Sequence, residues 1–286
     1  MSGTTRHPHR ARLAEAVLAD KLLAESLLYT SIQVTEQTGS TNADLLAAAR
    51  SGAPAGTVLV AEEQTAGRGR LDRSWQSAPG ASLTFSVLLR PSGVPVTSWG
   101  WLPLLIGVAM VSALRAQTGL ELSLKWPNDV LAGPARGDAA GGGAARGGGK
   151  LAGILAEQAG DAVVVGIGLN VSATESELPG RPATSLWLAG AADPDRQAIL
   201  LALLTELEHW YLRWSGGPRP GDAEASGLRA SYLQSCATIG RDVRVEMPGG
   251  KMLTGRAAEV DGFGRLLVTA CDGVHAVSAG DVVHVR

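Results

Sequence analysis

The stretch WGWLPLLIGVAMVSAL, Trp99 to Leu114, is the most apolar window of the chain. A segment like this is stable in a lipid bilayer or inside a protein, and in few other places. It is too short to cross the hydrocarbon comfortably, and Gly100, Pro103 and Gly107 interrupt it. A buried helix over 98–117 is therefore expected, and the rest of the chain must supply the layers that cover it. With 286 residues there is room for one large domain and a satellite, or for two ordinary domains. An apolar fraction of 45% against 18% charged residues suits a globular chain rather than a disordered one.

The flanking pattern is mixed α/β. SIQVTEQ, GTVLVAEEQ and SLTFSVLLR read as strands, and STNADLLAAARSG reads as a capped helix ending at Gly52. LELSLKWPNDVLA is a strand running into a turn, and KLAGILAEQ with AVVVGIGLNV forms a hairpin or a pair of adjacent strands. DRQAILLALLTELEHWYLRW is an amphipathic helix with Leu200, Leu203, Leu204, Leu207, Tyr211 and Trp214 on one face. Upstream, RLAEAVLADKLLAESLL carries Leu13, Val17, Leu18 and Leu22 at helical spacing. Residues 132–149 are almost all Gly and Ala, too poor in side chains to bury a core, and are expected to form a disordered surface loop. After a short helix at 227–235, four or five short strands separated by glycine turns predict a small all-β barrel or sandwich. The units are thus an N-terminal tail and helix (1–30), a large α/β unit (31–226), and a linker helix with a small β unit (227–286).

Bulk charge is uninformative: a net −2 leaves any attraction for anions to local clusters. Cys236 and Cys271 show no zinc-site spacing and do not make a disulfide framework, which suits reduced, structural thiols in a cytoplasmic protein. No signal core or cleavage site is recognisable near the start, and no membrane association is expected. Only four of the 25 basic residues are lysines, Lys21, Lys125, Lys150 and Lys251, so a lysine inside a motif suggests that a compact ammonium is wanted.

Four local constellations could carry chemistry. In TGSTN, Thr41 and Asp44 have capping-box spacing, while Ser40, Thr41 and Asn42 offer hydroxyl and amide groups at a helix start. AEEQTAGRGRLDRSW alternates Gly67-Arg68-Gly69-Arg70, adds Arg73, and ends on Trp75. Like charges this close repel, so an anionic guest is expected to compensate them, with glycine N–H groups and guanidinium forks as donors and the indole as a stacking face. LKWPNDVL places the scarce Lys125 just before a turn carrying Asn128 and Asp129. GGGKLAGIL brings Lys150 out of the Gly/Ala run into a strand, but Ala144 and Leu151 break the phosphate-loop pattern. GIGLN at 166–170 lacks the third glycine of a dinucleotide fingerprint and reads as strand interior.

In this order, GSTN, AEEQTAGRGR, KWPNDV, GGKLAGIL and GIGLNV closely resemble the biotin–protein ligases, over roughly residues 32–286. The resemblance implies a mixed sheet flanked by helices, followed by a small SH3-like β-barrel. It implies formation of biotinyl-5′-AMP from biotin and Mg-ATP, then transfer of biotin to a lysine of a biotin carboxyl carrier domain. Ser40, Thr41, Asn42, Gln64, Arg68, Gly69, Arg70, Lys150 and Gly153 would then face biotin. Arg70, Trp75, Lys125, Asn128, Lys150 and Asn170 would face ATP, with Lys150, Arg68 and Arg70 catalytic. Mg²⁺ would be held through the phosphates, with Asn128 as a candidate ligand.

Asp72 stands where the family usually has glycine, and the Gly/Ala run directly precedes Lys150. A lipoate ligase or octanoyl transferase of the same fold is the first rival, but its own motif is absent. A non-enzymatic nucleic-acid or peptide adaptor is the second, disfavoured by the acidic balance and the lack of a basic stripe. The winged-helix repressor domain of regulatory members is not recognisable, so a ligase that does not bind DNA is expected. In a gel-shift with biotin-operon operator DNA, no specific retardation is predicted; a discrete shifted band would contradict the expectation.

Overall fold

The computed structural model describes residues 10–71, 73–133, 149–180, 182–247 and 249–285. Asp72 and most of the 132–149 run, on which two of the expectations above fall, lie outside the described residues.

The large unit is built on a seven-stranded sheet. Its strands are β1 (Ser31–Thr38), β2 (Thr57–Gln64), β3 (Ser82–Leu89), β4 (Leu122–Lys125), β5 (Asp129–Ala132), β6 (Gly149–Ala159) and β7 (Ala162–Asn170), in the spatial order β1-β2-β3-β7-β6-β5-β4. β1 and β2 run parallel, joined through helix α2 (Thr41–Arg50), and every other pairing is antiparallel, so the sheet is mixed as expected. β3 is buried at every position, so both of its faces must be covered.

On one face lie α1 (Glu15–Leu23), α3 (Leu102–Thr118) and α4 (Arg196–Ser215), packed on Leu83, Phe85, Val87 and Leu89 of β3 and on Val163, Val165, Ile167 and Leu169 of β7. α3 is the expected apolar helix. A 3-10 turn at Val96–Trp101 leads into it, and Gly119, at φ 68°, ends it by donating to the Arg115 carbonyl at 2.9 Å. Gly107 is required by packing: a Cβ there would lie 3.0 Å from a Leu124 methyl of β4. The apolar stripe of α4 is buried as read from its period. In α1, Leu18 and Leu22 face the core with Leu13 just upstream, but Val17 points to solvent, so its spacing overstated the stripe.

The opposite face carries α2. Leu45, Leu46 and Ala49 cover Leu59, Leu88, Ala162 and Val164. The cap differs from the expected one: Ser40 caps the helix by accepting from Ala43 N, while Asp44 takes the Thr38 hydroxyl at 2.5 Å. The Ser40 carbonyl already accepts Asp44 N–H, which makes Ser40 the boundary residue and places Thr41 inside the helix.

Helix α5 (Leu228–Ser235) leads to a five-stranded antiparallel sheet of β8 (Asp242–Glu246), β9 (Met252–Val260), β10 (Leu266–Ala270), β11 (Gly273–Val277) and β12 (Asp281–His284), ordered β11-β10-β9-β8-β12. It fits the SH3-like unit that the resemblance implies. It is joined to the large unit at the KWPN turn. The Trp126 indole donates to the Gly264 carbonyl at 3.1 Å, and the Trp126 backbone N–H donates to the Thr238 hydroxyl at 3.1 Å. Cys236 is buried at this junction and Cys271 is exposed, so only the first has a packing role.

His284 lies 3.1 Å from the same Thr238 hydroxyl. Burial, with Lys125 and Arg241 adding their charges, pushes its pKa down from 6.5 to about 4. The unfolded chain therefore binds more protons than the folded one over this interval, and stability rises with pH through it. Urea unfolding should show stability falling as pH drops from 6.5 to 4.5, above the range where Glu177 titrates. His284→Gln should flatten that dependence.

Candidate functional site

The strand period explains where a site can form. On β3 the positions that share a face with Leu88 are Ser86, Thr84 and Ser82; on β7 those that share a face with Val164 are Gly166 and Gly168. The α2 face of the sheet is thus apolar under the helix and turns to hydroxyls and bare backbone beyond its N-terminus. Gly168 pairs with Gly153 of β6, so two neighbouring positions lack side chains. A Cβ on Gly168 would lie 2.3 Å from the Trp75 ring, and one on Gly166 would lie 2.2 Å from the Asn42 side chain. GIG is therefore strand interior, as read from the sequence, and not a cofactor fingerprint. It is a floor on which other side chains lie.

A hydrogen-bonded chain runs along this floor. Thr41 N–H donates to Gln64 Oε1 at 2.8 Å, and the Thr41 and Ser86 hydroxyls are 2.7 Å apart. Ser86 donates to Asn42 Oδ1 at 2.6 Å, and Asn42 Nδ2 donates to Glu157 Oε2 at 2.8 Å. Glu157 also takes Arg68 at 3.0 Å. Ser86 and Glu157 were not singled out in the sequence; the alternation in SLTFSVLL, with hydroxyls on one face, was the available signal for Ser86.

The segment 67–75 folds back on itself. Trp75 N–H donates to the Gly67 carbonyl at 2.8 Å and Gly69 N–H to the Arg73 carbonyl at 2.6 Å. Gly67 is demanded by this fold-back, since a Cβ there would lie 2.4 Å from the Trp75 carbonyl oxygen. The expected compensation of the arginines by a guest needs correction. Two of them are compensated by the protein: Arg68 by Glu157, and Arg73 by Asp281 of β12 at 2.5 Å. The hydrogen bond and charge of Asp281 raise the Arg73 pKa. Burial works against ionisation of Asp281, but Arg73, Lys125 and Arg70 together bring its pKa below the usual value.

Arg70 is different. Its hydrogen-bond partner is the neutral Asn128 Oδ1 at 3.1 Å, and among the described residues it makes no ion pair. Burial lowers its pKa, against the opposing charges of Asp129 and Asp281. Beside it, Lys150 Nζ lies 2.7 Å from Asp129 Oδ1, yet that oxygen receives no well-directed hydrogen bond. The Trp75 Nε1 donor is buried with no acceptor among the described residues.

These groups enclose a cavity of about 120 Å³. Ser40, Thr41, Asn42, Gln64, Arg68, Gly69, Arg70, Trp75, Asn128, Lys150 and Gly153 all line it, with Asp129 and Asp281. Two expected ATP residues do not. Lys125 lies toward Asp281 and His284, on both of which its charge acts. Asn170 is buried, its amide donating to the Thr184 carbonyl at 2.9 Å. Small-molecule sites usually enclose roughly 300–1,000 Å³, so this cavity is small for one, and Trp75 lying on the glycine floor fills part of the trough. No cluster of three or more metal-ligating side chains occurs among the described residues. Asn128 has its oxygen on Arg70 and its Nδ2 on the Ile154 carbonyl, so Asp129 is the freer oxygen donor. That set fits Mg²⁺ as a companion of phosphates rather than in a protein cage.

Residues 33–172 match the biotin/lipoate A/B protein ligase family, and residues 238–285 match the biotin protein ligase C-terminal domain. A biotin--[acetyl-CoA-carboxylase] ligase of Mycobacterium tuberculosis is 45% identical over 99% of this chain and 100% of its own length. A bifunctional ligase/repressor of Bacillus spizizenii is 31% identical over 82% of this chain and 68% of its own. The solved structure of an Aquifex aeolicus biotin protein ligase in complex with biotin and ATP superposes with a TM-score of 0.70 at 27% identity, covering 90% of this chain and all of that one.

The glycine floor makes a pointed prediction. Gly168→Ala should destabilise the protein by about 1–3 kcal/mol through overpacking against Trp75. In a Trp75→Ala background the same change should have little effect. Thermal unfolding of the four variants of this cycle measures the difference.

Proposed function

The chain belongs to the biotin protein ligase family, and from that premise we propose that it forms biotinyl-5′-AMP from biotin and ATP and transfers biotin to a lysine of a biotin carboxyl carrier domain. The observation that carries the reading is the pair of cations that line the cavity: Arg70, half-buried and hydrogen-bonded to a neutral amide, and Lys150, paired with Asp129 at 2.7 Å without a well-directed hydrogen bond. A site that gathers cations without matching them fully is made for a guest with negative charge.

In this reading Ser40, Thr41 and Gln64 hold the ureido end of biotin, with Asn42 and Gly153 shaping its bed. Lys150 faces the biotin carboxylate. Trp75 faces the adenine and Asn128 the phosphates; Asn170, outside the cavity, holds the Thr184 carbonyl instead. Lys125 acts from outside the cavity, through Asp281. A carboxylate oxygen of biotin attacks the α-phosphorus of ATP as the bond to the bridging oxygen breaks, and pyrophosphate leaves. Two anions must approach, and Arg68, Arg70 and Lys150 lower the repulsion between them. Mg²⁺, when bound with ATP, would neutralise the leaving pyrophosphate. The mixed anhydride then needs shelter from water, which the 67–75 segment supplies by refolding over it. A carrier lysine, having lost its proton, attacks the acyl carbon and AMP leaves. A cytoplasmic setting, a carrier domain as protein partner and no binding of operator DNA belong to the same proposal.

Biotin-dependent pyrophosphate release from ATP tests it. Lys150→Ala and Arg70→Ala should each lower the rate by about 100-fold or more, as expected when a preorganised charge is removed from a transition state. Arg68→Ala should also lose activity heavily. A variant that keeps a near-normal rate removes its residue from the site.

A further inference from the structure

The N-terminal segment before α1 is tied to the site by a path the proposed chemistry does not use. Arg10 forms a two-pronged ion pair with Glu177: Nη1 to Oε1 at 2.9 Å and Nη2 to Oε2 at 2.6 Å. The same Nη2 donates to the Ser172 carbonyl at 3.3 Å. Both side chains are about three-quarters shielded, which makes this a stronger pair than an open surface bridge. The Arg10 hydrogen bond comes first among the influences that bring the Glu177 pKa down to about 2. The segment is itself anchored. Leu13 N–H donates to Glu62 at 2.7 Å, and the buried Arg196 donates to the Ala11 carbonyl at 2.6 Å.

Glu177 organises the connection that follows β7. Its Oε2 also accepts both the backbone N–H and the hydroxyl of Thr174, each at 2.9 Å. Further along, this connection holds Lys150 of the proposed site. Lys150 N–H donates to the Pro182 carbonyl at 2.5 Å, and Thr184 N–H donates to the Lys150 carbonyl at 3.0 Å. The Thr184 carbonyl takes the Asn170 amide. A Cβ on Gly149 would lie 2.4 Å from the Pro182 oxygen, so the approach to Lys150 is close.

We propose that Arg10 is a positioning residue: by strapping Glu177 it fixes the connection that seats Lys150, and so sets the rate of adenylate formation. The catalytic part rests on the reading above, in which Lys150 faces the biotin carboxylate and eases its approach to the α-phosphate. The biotin ureido end instead meets Ser40, Thr41 and Gln64, which stand on other elements. The strap therefore acts at the reacting end of biotin and leaves the hold on its ureido end in place.

Two measurements on the 286-residue chain test this separately. In hydrogen exchange without ligand, Arg10→Ala and Glu177→Ala should each speed exchange at the Thr174 and Thr184 amides by about tenfold, the double variant no more than either single. In biotin-dependent pyrophosphate release, both should lower kcat by about tenfold, with the KM for ATP and the KM for biotin within about twofold of the parent. The charge-exchanged pair, Arg10→Glu with Glu177→Arg, should recover part of both effects. Unchanged exchange at those amides overturns the strap. So does a rise in both KM values together with a lowered melting temperature, the mark of general loosening. If the parent chain releases no pyrophosphate, the ligase reading fails, and the exchange data still decide whether Arg10 fixes the connection.

Discussion

The absence of side chains at Gly153, Gly166 and Gly168 is the constraint from which the site follows. Three bare positions on one face of β6 and β7 leave a trough beside the N-terminus of α2, and a Cβ at either β7 position would collide with the Trp75 ring or the Asn42 amide. Asn42 can reach Glu157 only because it lies across Gly166, and Glu157 in turn places Arg68. Trp75 can lie flat only because Gly168 yields the space, and Trp75 N–H closes the fold-back that presents Arg70. The floor is apolar structure removed, and the polar network is what the remaining volume permits.

Charge is distributed on that floor by elements distant in sequence. The large unit supplies Glu157 and Asp129, and the small β unit supplies Asp281, so the basic segment is held at both flanks and its middle arginine is left to an amide. This gives the C-terminal unit a part in the site that does not depend on contact with any guest. It also explains why Lys125 can matter without lining the cavity: it stands beside Asp281 and helps keep that carboxylate ionised to hold Arg73.

Much of this was legible before any coordinates, for identifiable reasons. The apolar run around α3 and the stripe of α4 are signals of residue type and period, and burial obeyed them. The GRGR segment, KWPN and Lys150 announced themselves by residue type. What stayed hidden depends on the third dimension. Glu157 and Asp281 look like ordinary surface acids in a strand, and nothing local says that each ends opposite an arginine some 90 to 200 positions away. Gly166 and Gly168 were weighed against a cofactor pattern when their meaning lay in the space they leave, Gly168 beside its strand partner Gly153 and Gly166 under Asn42, contacts set by register and fold. The capping pair at Thr41 and Asp44 failed because Ser40 offered the same chemistry one residue earlier, and Asp44 had Thr38 within reach. Val17 shows the limit of periodicity in a short helix that packs on one side only.

The resting partners of the arginines bear on how such a segment can open. Arg68 and Arg73 are 47% and 62% exposed, and ion pairs that open to water are worth about 0–1 kcal/mol. Replacing them by contacts to a ligand therefore gives up little. Arg70 and Lys150 are the less exposed cations and are matched less well, so they gain most when an anion arrives. A guest with a single carboxylate can satisfy one of these two; a guest that also carries a phosphate can satisfy both. In the proposed reaction that distinction falls between biotin and the adenylate made from it, so the segment has more to gain from closing over the species that must be kept from water than over the free acid.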